Sequence, residues 1–248
     1  MPRHSQAMIV LFTDFGLAGP YTGQMNAVLQ QMAADVPVIS LFADAPTAAP
    51  KPASYLLAAY AAWFPVGSVF LCVVDPGVGS ARRGLVLEAA GRFYVGPDNG
   101  LFELVRRRSI APRCWEIAWR PAALSASFHG RDLFAPVAAR LARHEPPGAL
   151  GHAIGPPACP DWPDDLAEIV YVDHYGNAMT GLRGRCVSES AQLVAGGQTI
   201  RHAPVFAAAP AGAPLWYVNS NGLVEIAVNR GRADRLLGLA IGSPIALV

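Results

Sequence analysis

Five short clusters in the chain set an acid, a histidine or an asparagine beside glycine. They are Thr13-Asp14-Phe15-Gly16, Asp75-Pro76-Gly77-Val78-Gly79, Gly96-Pro97-Asp98-Asn99-Gly100, Phe128-His129-Gly130-Arg131-Asp132 and Asp173-His174-Tyr175-Gly176-Asn177. Glycine lets backbone approach a ligand and adopt positive φ. Carboxylates and imidazoles accept and relay protons near neutral pH, whereas arginine stays cationic. Asp75 is followed by Arg82 and Arg83, so one segment holds both a proton acceptor and a fixed cation. Singly, each cluster has a structural reading. Pro97-Asp98-Asn99-Gly100 is a turn leading into a helix, Asp132 an N-cap, and Asp14 an acceptor for loop amides. His129 reads as a packed imidazole and Arg82-Arg83 as a solvated pair. Five such clusters in one chain favour a shared site. A metal-dependent phosphoesterase built on Asp75, Asp98, His129 and Asp132 lacks the H-x-x-x-H or D-x-H spacing of such centres.

The elements that must position these groups follow from the apolar pattern. Residues 8–13 and 68–74 are buried-strand runs, and each ends in an aspartate, Asp14 or Asp75. Residues 36–41 read as a strand, 85–89 with 92–95 as a hairpin, and 21–32, 53–64, 101–107 and 132–143 as helices. Prolines 50, 52 and 65 bracket the second helix. Strands alternating with helices predict an α/β N-terminal domain with a mostly parallel sheet flanked by helices. Ligands of such sheets bind beyond the carboxyl ends of the strands, where Asp14 and Asp75 both fall. Residues 146–165 hold Pro146, Pro147, Pro156, Pro157, Pro160 and Pro163 and read as a linker. Beyond it come short strands near 168–173, 191–194, 215–219, 223–228 and 244–248, with turns at Gly196-Gly197 and Asn221-Gly222. The expected organisation is residues 1–145 α/β, 146–165 Pro-rich linker, and 166–248 a smaller all-β, barrel-like C-terminal domain.

Composition narrows the classes. The 248 residues are 52% hydrophobic and 15% charged, which excludes a disordered chain. A formal net charge of +1 supplies no field to draw nucleic acid or an anionic membrane. Cys72, Cys114, Cys159 and Cys186 form no C-x-x-C pair and read as free thiols. Met1–Ala7 is short and polar, with no apolar signal core behind it, and the apolar run 53–64 is too short to span a bilayer. A cytoplasmic protein is expected.

Taken in order, the clusters resemble the adenosine-forming S-adenosyl-L-methionine (SAM) hydrolases, or SAM hydroxide adenosyltransferases, relatives of the SAM-dependent fluorinase and chlorinase. The resemblance runs from Leu11-Phe12-Thr13-Asp14-Phe15-Gly16 to the segment Gly222–Gly231. It is most specific at Asp75–Arg83, Phe128–Phe134 and Tyr171–Thr180. It implies that Asp75, Arg82 and His129 hold a nucleophilic water, and that Asp14 binds the ribose hydroxyls. Asp173 would hold the methionine ammonium and Asn177 the adenine side, with Ser220 and Arg230 in the region contacting carboxylate and adenine. It implies SAM as substrate, no metal or cofactor, and a homotrimer whose sites lie between the N-terminal domain of one subunit and the C-terminal domain of the next. Gly19-Pro20, where relatives carry an acid, and Asn26, where a lysine is common, depart from the pattern. Two other readings stay open: a halogenase using chloride or fluoride, and a non-catalytic SAM- or adenosine-binding protein. An anionic Asp75 beside the nucleophile favours water over halide, because like charges repel.

Overall fold

The computed structural model describes residues 7–248, so the N-terminal polar stretch lies, apart from Ala7, outside the described residues. The chain divides into two compact units, one ending at Cys159 and one running from Pro160 to Val248.

The first unit is built on seven strands: β1 (Ile9–Thr13), β2 (Val38–Phe42), β3 (Val69–Val73), β4 (Gly84–Ala89), β5 (Arg92–Pro97), β6 (Arg113–Ile117) and β7 (Gly151–Ile154). Their order is β2-β1-β3-β5-β4-β6-β7. The β2-β1-β3-β5 half is parallel and the β5-β4-β6-β7 half antiparallel, so the sheet is mixed. The reason for the switch is local. Ala90 and Gly91 both have positive φ, which is the two-residue turn that folds β4 back on β5. Strand β7 comes from the stretch expected as linker and closes the antiparallel edge.

Every residue of β1 and β3 is buried, as in strands covered on both faces. Four helices flank the sheet: α1 (Tyr21–Met32), α2 (Pro50–Tyr60), α3 (Glu103–Arg107) and α4 (Ala135–Ala142). Alternate residues choose the face. Ile9, Leu11 and Leu71 pack with Met25 and Leu29 of α1 and Val137 and Ala138 of α4. On the other face Phe12, Phe42, Phe70 and Tyr94 build an aromatic layer that reaches Tyr60 of α2. Fully burying a side chain of this size contributes about 1.5–3 kcal/mol. The expected helix over 132–143 is split: Gly130–Phe134 forms a π-helical turn and α4 follows.

One topological fact governs the site. The chain leaves β3, loops through Asp75–Arg83 and returns as β4, but β5 lies between those two strands. Gly96 permits this insertion, since a Cβ there would stand 2.2 Å from the Cys72 carbonyl oxygen.

The second unit is antiparallel throughout its two sheets. Strands β8 (Leu166–Val172), β9 (Ala178–Arg183), β10 (Gln192–Ala195), β11 (Gln198–Arg201), β12 (Pro214–Val218), β13 (Leu223–Val228) and β14 (Ala246–Leu247) form the sheets β12-β13-β9-β8 and β11-β10-β14. Single bridges, Glu168 with Pro244 and His202 with Trp216, join the two sheets at both edges. The strands thus complete a barrel-like circuit around Ile169, Leu193, Trp216 and Ile226, with the short helix α5 (Ala233–Leu236) packed against it. Among the described residues no helix is long and apolar enough to cross a membrane, and all four cysteines are free thiols.

Candidate active site

Asp75 stands two residues beyond the end of β3, and Arg82 two residues before β4. The loop between them is tightened by Val78 N–H on the Asp75 carbonyl, at 3.3 Å, and Ser80 N–H on the Gly77 carbonyl, at 3.1 Å. It folds the arginine back onto the aspartate. Arg82 Nε donates to Asp75 Oδ1 at 2.6 Å, and Nη2 donates to Oδ2. The pair is nearly sealed from solvent, with side chains 9% and 4% exposed for Arg82 and Asp75. Removing one partner of so buried a pair typically costs about 3–5 kcal/mol. The Phe134 ring lies under the guanidinium, 5.3 Å from its centroid.

His129 arrives from a separate loop, at the mouth of the π-helical turn. Asp132 closes that loop by accepting the Ser125 N–H at 2.9 Å and pairs with Arg131 at 2.6 Å. It therefore ties the loop together and makes no N-cap bond. The two loops meet where Gly79, at φ +82°, packs on Ala126; a Cβ there would lie 2.6 Å from the Ala126 carbonyl oxygen. This places His129 Nδ1 3.1 Å from Arg82 Nη2. A guanidinium only donates, so Nδ1 must accept and the ring proton sits on Nε2. Burial, reinforced by the Arg82 charge, holds the imidazole below its ordinary pKa and keeps it neutral. Arg82 thus links the other two members of the triad and fixes the tautomer of one.

Asp14 follows β1 and accepts the Ala48 N–H at 2.8 Å. Burial pushes its carboxyl above the ordinary value, against the pull of backbone N–H bonds, and the nearby Asp75 charge pushes the same way. Asp14, Asp75 and His129 line one cleft of about 430 Å³ including its mouth, with Phe15, Val78 and Phe128 among its walls. Phe15, Phe128 and Tyr21 contact one another with ring centroids 5.5–5.8 Å apart. Among the described residues no group of three His, Cys, Asp or Glu is arranged to hold a metal ion.

Asp173 and Asn177 belong to the second unit, in the β8–β9 turn. Asp173 Oδ1 accepts the Asn177 N–H at 2.8 Å and Oδ2 accepts its side-chain amide at 2.9 Å. Ser220, in the β12–β13 hairpin, and Arg230, at φ +58° past the end of β13, are both exposed and sit at opposite ends of that strand. Sequence reading missed the buried acid between them. Glu225, 3% exposed, accepts from Tyr217 Oη and, at 2.7 Å, from Asn219 Nδ2. Burial raises its pKa. A lone glutamate in the apolar run Leu223–Val228 was the available signal. Phe15 and Phe128, part of the sequence motifs, form cleft walls, and Arg83, expected as part of a solvated pair, bonds Asp98 at 2.6 Å.

Comparison with known proteins agrees along both units. Residues 9–151 match the SAM hydroxide adenosyltransferase N-terminal domain and residues 167–246 its C-terminal domain. The (R)-S-adenosyl-L-methionine hydrolase of Thermus thermophilus is 38% identical, covering 97% of this chain and 99% of its own. That of Salinispora arenicola is 36% identical, covering 97% of each. A crystal structure of a Thermotoga maritima protein superposes with a TM-score of 0.87 at 29% identity, over 97% of this chain and 99% of the other. Two domain models matched in order, and hydrolases more than one third identical over nearly full length, establish that this chain belongs to the SAM hydroxide adenosyltransferase family.

Proposed function

We propose that this protein is an enzyme that hydrolyses SAM to adenosine and L-methionine. The observation that carries the reading is the Asp75–Arg82–His129 constellation beside the Asp14 cleft, in a chain of this family. The sulfonium already activates ribose C5′, and methionine leaves as a neutral thioether. The protein has only to hold water in line with the C5′–S bond and away from bulk solvent. As the new C5′–O bond forms, the C5′–S bond breaks and the attacking oxygen becomes a protonated alcohol. Such an oxonium is a far stronger acid than any carboxylic acid. Asp75 can therefore take its proton even while paired with Arg82. Neutral His129, donating through Nε2–H, orients the water. Asp14 engages the ribose hydroxyls. Asp173 holds the methionine ammonium, Asn177 the adenine side, and Ser220 and Arg230 the carboxylate and adenine. No metal or cofactor takes part, so EDTA leaves the rate unchanged.

The relatives' names specify the (R) epimer, and we extend that preference to this chain. The reading also includes a cytoplasmic location and a homotrimer with sites between subunits. Light scattering tests the assembly against three times the 26.2 kDa chain mass. The decisive experiment is incubation with each SAM epimer, with and without chloride, followed by chromatography. Adenosine and methionine are expected in both buffers. Intact SAM, or 5′-chloro-5′-deoxyadenosine with chloride, overturns the reading.

A further inference from the structure

The Pro97-Asp98-Asn99-Gly100 cluster is absent from the chemistry above, yet topology sets it beneath that chemistry. The Asp75–Arg83 loop starts from β3 and ends at β4, and β5 stands between them, so the loop straddles the end of β5. Gly84 pairs with Pro97, the last residue of β5, which makes Asp98 and Asn99 the first residues beyond it. Each of them grips one foot of the loop.

Asn99 holds the first foot. Its Nδ2 donates to the Val74 carbonyl at 2.9 Å, next to Asp75. Its Oδ1 accepts the Leu101 N–H at 3.2 Å, which fixes which end of the amide faces Val74. Asp98 holds the second foot. Its N–H donates to the Arg83 carbonyl at 3.0 Å, while Arg83 Nε and Nη2 donate to its carboxylate at 2.9 and 2.6 Å. The same Arg83 carbonyl accepts Arg82 Nη1 at 3.3 Å. The carbonyl that Asp98 anchors is thus one of the acceptors that orient the Arg82 guanidinium. Behind the grip lies a separate cavity lined by Leu85, Leu87, Phe102 and Cys114, which Asp98 and Asn99 themselves border. Open space on that side means that hydrogen bonds, more than packing, keep the two residues in place.

We propose that Asp98 and Asn99 are positioning residues that set the Asp75–Arg82 pair by clamping the two feet of its loop. This rests on the reading of Asp75 as the group that holds the attacking water. Misplacing a reacting group by about 1 Å costs on the order of 100-fold in rate. Asn99→Asp turns the donor facing Val74 into an acceptor at nearly unchanged volume. It lowers kcat roughly 10- to 100-fold and leaves KM for SAM within about 3-fold. Arg83→Gln, at a side chain 42% exposed, removes the ion pair with little risk to folding and lowers kcat roughly 5-fold. Asp98→Asn, which keeps the backbone N–H and one acceptor oxygen, recovers most of the activity lost in Asp98→Ala. In an Asp75→Asn background, Asn99→Asp has no further effect on kcat, because its action passes through Asp75.

Kinetics on the folded variants, with thermal unfolding and SAM calorimetry as controls, read all four outcomes. Unchanged kcat in both Asn99→Asp and Arg83→Gln overturns the clamp while leaving SAM hydrolysis intact. So does a full further loss in the Asp75→Asn background. A wild-type protein that does not hydrolyse SAM overturns the underlying reading, and the clamp with it.

Discussion

The two polar constellations are held in different ways. In the first unit Arg82 folds back on Asp75 from seven residues away, His129 joins them from 47 residues beyond Arg82, and charged groups face one another at the wall of a cleft. In the second, Asp173 and Asn177 are four residues apart and satisfy each other within one turn. The buried Glu225 is met there by the neutral donors of Tyr217 and Asn219. The first arrangement is a bidentate ion pair with spare lone pairs toward the cleft, suited to orienting a nucleophile. The second is an acceptor fixed by local hydrogen bonds, suited to recognising a ligand's donors. The difference predicts that damage to the first region is read in turnover, and damage to the second in binding.

The sharpest way to break this division is Asp75→Asn. Turnover is expected to fall by about 1,000-fold or more while the SAM Kd by calorimetry stays within about 3-fold. A parallel loss of binding would erase the distinction. Arg82→Lys comes next. A single ammonium cannot reproduce the fork that meets Asp75 and His129 together, so kcat drops roughly 100-fold with little change in Kd. The opposite signature is expected from Asp173→Asn. If Asp173 holds the methionine ammonium as proposed, losing its charge weakens binding about 10-fold and leaves kcat within about 3-fold.

A pH profile sharpens the first region further. Burial and Arg82 depress the His129 pKa, so the imidazole remains neutral as pH falls through its ordinary value of 6.5. The acid limb of kcat that reports His129 is therefore expected below pH 6.5. Arg82→Gln removes a cation from Nδ1 and frees the Asp75 charge, and both changes move that inflection upward. The stability linkage runs the same way. Below the ordinary value the unfolded chain binds a proton that the native state refuses, so His129's contribution to stability falls as pH falls. The smallest effect belongs to Glu225 in the second region. Glu225→Gln can still meet Tyr217 and Asn219 and is expected to stay within about 1 kcal/mol in denaturant unfolding. Glu225→Leu, which leaves both donors unmet, loses about 2–3 kcal/mol.

Much of this was legible in the chain itself. The apolar runs that become β1 and β3 announce strands delivering Asp14 and Asp75, and the spacing over Tyr21–Met32 announces α1. Short-range pattern suffices there, because one buried strand or one amphipathic helix writes its own period. The local pattern does not announce strands β6, β7, β9 and β11 or helix α5. β6 mixes arginine, tryptophan and glutamate along its five residues, and β7 lies among prolines, so neither carries a clear alternation. Pairing with neighbours, not local pattern, makes them strands.

By itself the sequence determined which groups were available: a proton acceptor ending a buried strand, a permanent cation seven residues on, and a histidine in a glycine loop. Those are properties of residue type and short-range period. The tertiary structure decided how they are used. Inserting β5 between β3 and β4 is a long-range pairing that no local pattern encodes, and it put Asp98 and Asn99 under the Asp75–Arg83 loop. Packing Gly79 on Ala126 brought His129 to Arg82, and that contact set the proton on Nε2. Charge and hydrogen-bond direction depend on distances of a few ångströms, and only the folded chain sets those distances.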